Sequence, residues 1–376
     1  MQPMAINNQR RKLLKGSFGA VALSPWLTAC SSVSNFDKKA ALISCSRTAN
    51  GRFGAVVADS EGYPIHSIPL PERGHGVAIT PNGELAVAFA RRPGNYMQLF
   101  NIKTGVSYSI TPSMPTRYFY GHGVFSSDGL TLYTTEGEKE TSQGVIGVYQ
   151  LQGTQLIKIK EFSGFGIGPH EVIRVDDTTL AIGVGGVHTK GRVPVNLGTM
   201  KPALVYLSTE TGEVFESVSL SDHKLSIRHL SLTHDGRVLC GQQYRGEPED
   251  GAPLVAVHRR GGPLIPLNAE PEEWLRFNHY IASIAVLGDH VVATSPRGNC
   301  YGVWNLKTNQ LVEITYLSDA SGVVANNHYH GLPQWHISSG TGRVIHRTEN
   351  GEVTSLQTNV MWDNHWSQIP FAHIRV

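Results

Sequence analysis

The sequence predicts an all-β protein, a seven-bladed β-propeller whose closing blade is shared by the N- and C-terminal strands. Two observations carry that expectation: a phrase that returns along the chain at blade-like intervals, and strands left over at both ends that complete one another. The phrase is clearest from Arg73 to Arg91, RGHGVAITPNGELAVAFAR. There a histidine opens one apolar strand, Pro81-Asn82-Gly83 supply a tight turn, and residues 85–90 form a second strand. It returns as GHGVFSSDGLTLYTTE from Gly121, PHEVIRVDDTTLAIGVGG from Pro169 and RHLSLTHDGRVLCGQQY from Arg228, with looser copies from His279 and His330. A four-strand unit repeating every ~40–50 residues is the sequence form of a propeller blade.

Taken in order, the period-two stretches fall into groups of four. They span residues 75–80, 85–90, 96–102 and 106–111; then 123–126, 131–135, 144–151 and 156–162; then 170–175, 180–184, 203–208 and 214–220. Residues 229–233, 237–242, 253–258 and 264–267 follow, then 281–287, 290–294, 301–306 and 311–316, and a sixth group from 332 to about 358. Three strands remain before the first group, at 41–47, 53–59 and 64–70, and one remains after the last, at 366–374. Three and one make the seventh blade, and joining the termini there removes free sheet edges. Residues 270–275 read as one short helical turn. With 376 residues, 40% hydrophobic and 16% charged, the chain can bury such a core, and 40 glycines and 20 prolines suit its many turns.

The first 39 residues read as targeting rather than fold. Arg10-Arg11-Lys12-Leu13-Leu14-Lys15 and the short apolar run from Gly16 to Ala29 resemble a twin-arginine signal, a route that exports folded proteins. Leu27-Thr28-Ala29-Cys30 has the form of a lipoprotein cleavage box, with Cys30 as the lipidated first residue. Residues 1–29 are thus the signal, 30–39 a polar linker and 40–376 the propeller. Ser31 and Ser32 replace the aspartate that retains lipoproteins at the inner membrane, which points to the periplasm and an outer-membrane anchor. A net charge of +2 with no block of like charge excludes a nucleic-acid partner. Cys45, Cys240 and Cys300 lie in apolar strands, as packing residues do.

In a propeller the innermost strand of each blade lines the central channel. The expected starts of those strands carry His75, His122, His170, His229, His279, His330 and His365. Seventeen histidines in 376 residues would rarely meet every one of seven starts by accident. Imidazole is the commonest metal ligand, so the ring is a candidate metal site for iron, copper or zinc, or for haem. The competing assignment is structural, with imidazoles hydrogen-bonded to backbone and stitching blades together. Arg73, Arg117, Arg228 and Arg276 precede inner strands, and Arg47, Arg91, Arg92, Arg192, Arg245 and Arg297 fall in loops expected on the same face. Guanidinium groups there favour an anionic ligand, such as an iron chelate or haem propionates. The long segment 185–202, GGVHTKGRVPVNLGTMKP, is placed to act as a lid carrying His188 and Arg192. Glu136, Glu138 and Glu171 supply carboxylates without forming a recognisable acid–base pair. No nucleophile elbow, zinc-protease motif, phosphate loop or Cys-x-x-Cys is present.

The strand starts GHGVFS and GPHEV, the loop GGV-HTKGR-NLGTM-PALVYL and the twin-arginine leader resemble a bacterial family of unknown function. The likeness covers the whole mature chain, departing from the family in its shortened HTKGR phrase. It implies an exported seven-bladed propeller. Its genes commonly neighbour imelysin-type iron-uptake lipoproteins and di-haem peroxidase-like proteins, which would be the expected partners in periplasmic iron handling. The family brings no catalytic residues with it. Two other functions remain open at this stage. One is a copper-dependent oxidoreductase, by analogy with nitrous oxide reductase, where a seven-bladed propeller also presents a ring of histidines. The other is a ligand-free interaction scaffold.

Overall fold

In the computed structural model, which describes residues 39–48, 50–326 and 333–370, seven four-stranded antiparallel sheets form a closed ring. The inner strands, in ring order, are Gly74–Ile79, Arg117–Phe125, Pro169–Arg174, Leu225–Leu232, Ser283–Leu287, Ala320–Asn326 and Met361–Gln368. Each packs against the next, and the last returns to the first. The blades are numbered one to seven in that order.

The reason these strands read as almost continuously apolar is visible in the seams. One hydrophobic cluster lies at each of the seven blade–blade contacts. In Leu85–Ala90 of blade one, Ala86, Ala88 and Ala90 turn toward blade seven, while Val87 and Phe89 turn toward blade two. Successive residues point to opposite faces, and both faces are buried. Small residues on one side and large ones on the other let wedge-shaped neighbours meet without voids.

Blade seven is closed as expected, by Met361–Gln368 inside Leu42–Arg47, Phe53–Ala58 and Pro64–Leu70. Two expected elements are shifted. The C-terminal strand spans Met361–Gln368 rather than 366–374. The inner strand of blade six is Ala320–Asn326, upstream of the expected 332–358, and Gln334–Ser339 is second in that sheet. Asp319, at φ +51°, makes the turn that starts this strand, and Ser321 and Gly322 weaken its alternation, which hides it in the sequence. The helical turn is Pro271–Leu275, capped by reciprocal bonds between Glu270 and Glu273. Cys45, Cys240 and Cys300 are buried and unpaired, and burial raises all three thiols, Cys300 to about 11.

Candidate functional site

The inner strands depart from regular pairing in six blades, in blade six between Ala320 and Val323 and in the other five around a histidine. Register slips between Gly74 and Val77 (around His75), between Phe119 and Gly123 (around His122), between Pro169 and Val172 (around His170) and between Ile227 and His229. In blade seven the slip between Ser44 and Ser46 is opposite the run from Trp362 to Trp366, which holds His365. A bulge frees residues from the ladder and re-aims their side chains. Here five bulges in five consecutive blades turn five imidazoles toward one another.

The rings meet closely. Centroids lie 4.8 Å apart for His75–His122, 4.4 Å for His75–His365, 4.6 Å for His122–His365, and 4.8 Å for both His122–His170 and His170–His229. Glycine makes the approach possible. A Cβ on Gly121, whose φ is +105°, would lie 2.7 Å from Cδ2 of His75, and one on Gly76 would lie 2.6 Å from the carbonyl oxygen of Gly121. This accounts for the repeated Gly-His-Gly. Hydroxyls hold the backbone from behind: Thr135 Oγ1 donates to the carbonyl of His170 at 2.8 Å, and Ser44 Oγ to that of His365 at 2.7 Å.

Two carboxylates flank the cluster. Glu171 reaches toward Nδ1 of His229 at 3.6 Å and of His122 at 3.9 Å, while its Oε2 accepts the backbone N–H of Leu230 at 2.9 Å. Asp363 accepts from Arg73 Nε at 2.6 Å and stands 3.7 Å from Nδ1 of His75. Burial raises the Glu171 carboxyl; for Asp363 burial is outweighed by His75 and Arg73, which hold it below the usual range. Burial lowers all five histidines, His122 to about 3, and for most of them the neighbouring imidazoles add to it. Neutral imidazoles keep the lone pairs that a metal needs.

Two triads offer converging nitrogen atoms, His75–His122–His365 and His122–His170–His229, each set within 4.8 Å. Nε2 of His75 and Nε2 of His365 are 3.2 Å apart. Two imidazole nitrogens at ~2.0–2.1 Å from one tetrahedral ion would be separated by roughly 3.3 Å. His122 Nε2, His170 Nδ1 and both ring nitrogens of His229 are buried without a partner, which native interiors seldom tolerate. The donor set therefore fits a transition-metal ion, and the unpartnered atoms are those an ion would satisfy.

A cavity opens on either side of this layer. One, of 330 Å³, is lined by His122, His365 and Glu171 and by small residues of blades five and six, among them Ser283, Ala285 and Val323. Among the described residues, those two blades bring no imidazole to this cavity. The other, of 210 Å³, is lined by His75 and His170 together with Arg91, Arg92, Arg192, Arg228, Arg245 and Arg297, and by Tyr120, Gln243 and Tyr280.

Residues 68–369 fit the model of the family described as "Protein of unknown function (DUF1513)". The chain belongs to the DUF1513 family. No curated protein matches it. The matched DUF1513 region contains all five clustered histidines and both flanking carboxylates.

Of the seven histidines expected to form a ring, five come together. His279 does not. It sits in a turn at φ +56°, its Nε2 donates to the carbonyl of Asp250 at 2.8 Å, and its ring abuts Tyr244. It precedes its inner strand, Ser283–Leu287, by a loop that turns it away from the channel. His330 lies outside the described residues, between the first two strands of blade six. Cys30 and the twin arginines Arg10 and Arg11 are likewise outside them.

Among the expected arginines, Arg91, Arg92, Arg192, Arg228, Arg245 and Arg297 line the funnel and Arg73 holds Asp363, whereas Arg47 is exposed away from it. Arg117 instead pairs with Glu138 and Glu161, and Arg276 caps the short helix with its side chain exposed. The long loop folds as a ribbon, Thr189–Lys190 against Val193–Pro194, that leans on the funnel through Thr189 and Arg192, which bond to Arg92. His188 turns aside to Ser142. Sequence reasoning missed Asp363, Tyr120, Tyr280 and Gln243. An Asp363-x-His365 spacing beside the His170-Glu171 pair is the one signal that could have shown the first.

Proposed function

We propose that this propeller is a metal-binding protein of the bacterial periplasm that takes part in iron handling, holding a transition-metal ion on His75, His122, His170, His229 and His365. The observation that carries the reading is the convergence of five neutral imidazoles from five bulged inner strands, four of them with a buried ring nitrogen that has no partner. Glu171 and Asp363 would orient the ligands from behind, as carboxylates do at histidine metal sites. The spacing of 4.4–4.8 Å between most ring centroids leaves no slot for a planar macrocycle, so a bare ion or small chelate is favoured over haem. Export by the twin-arginine route and a lipid on Cys30 would put the site beside anchored imelysin-type and di-haem peroxidase-like partners.

The test is metal analysis and titration of protein purified in folded form. Stoichiometric iron, zinc or copper, lost in the triple variant His122→Ala/His170→Ala/His229→Ala with the fold retained, supports the reading. No metal in the wild type under any loading condition overturns it and leaves an interaction scaffold.

A second reading, a copper-dependent oxidoreductase, is favoured by the nitrogen-rich donor set, since copper(II) leads the divalent affinity order at such sites. A visible charge-transfer spectrum with redox turnover would establish it; a colourless copper-loaded protein without turnover would remove it.

A further inference from the structure

The arginine funnel carries more than the metal reading requires. Six guanidinium groups (Arg91, Arg92, Arg192, Arg228, Arg245 and Arg297) line one cavity of 210 Å³. None of them forms an ion pair with a carboxylate among the described residues. Their polar contacts are neutral: Arg92 donates to Thr189 Oγ1 at 3.0 Å, Arg192 to the Arg92 carbonyl at 3.1 Å and Arg245 to Gln243 Oε1 at 3.0 Å, while Arg297 stacks 4.4 Å over the Tyr280 ring.

Arg228 is the informative member. It is only 5% exposed, lines the cavity, and its Nε has no hydrogen-bond partner. A buried, unpaired cation is costly, and proteins keep one where a bound anion completes it. Outside the funnel the described arginines either pair with a carboxylate, as Arg73 with Asp363 and Arg347 with Glu313, or are exposed, as Arg47, Arg52, Arg276 and Arg343 are. The absence of acids is therefore a property of the funnel.

We propose that the funnel binds a small oxyanion of two or more negative charges, a polycarboxylate or phosphate, directly over the histidine layer, so that anion and metal bind as one unit. Guanidinium forks match carboxylate and phosphate oxygen atoms in bidentate geometry. The cavity is below the about 300–1,000 Å³ of pockets for drug-sized ligands, which limits the guest to a small ion. His75 and His170 lie on its wall, so oxygen atoms of the guest would reach a metal held there. The anion half stands on the arginines alone, whereas the coupling rests on the metal reading above.

The experiment is calorimetric titration of the full mature protein, metal-free and then loaded with zinc, with citrate and with inorganic phosphate as probes. Saturable binding of either probe to the metal-free protein supports the anion site, and the tighter of the two identifies the chemistry. Arg228→Met should weaken it at least ~10-fold, as loss of a charge-assisted bidentate contact does. The more exposed Arg92→Gln is a second variant in case Arg228→Met fails to fold. A saturating anion should tighten apparent zinc affinity at least ~10-fold in the wild type and leave it unchanged in the variants. Failure of both probes to bind, with or without zinc, overturns the proposal. Anion binding with no change in zinc affinity overturns the coupling. Anion binding by a protein that takes no metal sinks the metal reading and leaves the anion site standing.

Discussion

Gly121→Ala is the substitution whose effect is best determined by the geometry. Its new Cβ would lie 2.7 Å from Cδ2 of His75 and 3.1 Å from its Cβ, where ordinary carbon contacts are ~3.5–4.0 Å. Gly121 also has φ +105°, a backbone region costing an L-residue ~1–3 kcal/mol. Overpacking a tight interior adds ~1–3 kcal/mol. The expected loss is therefore about 2–6 kcal/mol, the sum of those two effects. Gly153→Ala is the matched control: its φ is +60° but nothing lies within 4 Å of the added Cβ, so only the backbone cost of ~1–2 kcal/mol applies. The assay is urea denaturation of metal-free protein followed by tryptophan fluorescence. The positive-φ cost is common to both, so the ~1–3 kcal/mol of overpacking separates them, and at a slope near 3 kcal/mol/M the midpoints should differ by roughly 0.3–1 M. The collision falls on His75, so zinc affinity should fall in Gly121→Ala and hold in Gly153→Ala. Equal midpoints would mean that the glycine is not required by the approach of the imidazole, and the account of the Gly-His-Gly repeat would fail.

Four further predictions concern His336, Asp363, Cys30 and the paired arginines Arg10 and Arg11. His336 is fully buried beside His346, with both ring nitrogens unpartnered, and burial and then His346 lower it to about 3. Its folded value lies below the unfolded ~6.5, so the unfolded chain binds the extra proton, and the stability it contributes is complete above pH 6.5 and drains as pH falls toward 3. His336→Gln should flatten the stability–pH slope over that window by up to about 1.4 kcal/mol per pH unit, although Glu61 and Asp59 beside His346 oppose part of the effect. Urea midpoints at several pH values check it, and an unchanged slope would contradict it. Asp363→Asn should weaken zinc about 10–100-fold in competition with a chelator while keeping the stoichiometry, because it orients a ligand without being one. Cys30→Ser should move the protein from the detergent phase to the soluble periplasmic fraction, and Arg10→Lys with Arg11→Lys should leave an unexported precursor. A wild-type protein that is already soluble would contradict the lipid anchor.

Most of the architecture was legible because each blade repeats the same local chemistry. The turn at Pro81-Asn82-Gly83 and its counterparts mark strand ends, and the apolar runs between them are short enough to be strands. Blade six escaped because its inner strand, ASGVVAN, opens with small residues after a turn set by Asp319 at positive φ, so its start carries no repeat of the phrase. The histidine pattern marked five imidazoles that cluster in space but could not show bulges, which depend on pairing with a neighbouring strand. That is why His279, one loop too early, looked equivalent to His229. Asp363 was hidden for a related reason: the strand holding it was expected to start at 366, three residues after it. All six arginines of the funnel were legible, but they shared the expected face with Arg47, Arg117 and Arg276, which find carboxylates or solvent instead, and Tyr120, Gln243 and Tyr280 beside them carried no signal.

The closing blade makes assembly of the histidine cluster a late event in the life of each chain. Ser44 and the carbonyl it bonds on His365 are 321 positions apart, and joining ends over such a span costs about 5 kcal/mol of chain entropy. As a nascent chain leaves the ribosome, blades one to four can form with His75, His122, His170 and His229 while three N-terminal strands wait with an unpaired edge. Asp363 and His365 arrive together on the last strand to be made, the one that covers that edge. An ion held by the cluster would bind only the closed ring and so act as a clasp on it, by mass action. A chain cut short before Met361 would lose the clasp, the carboxylate behind it and the latch strand in one stroke, leaving an exposed sheet edge for proteases to find.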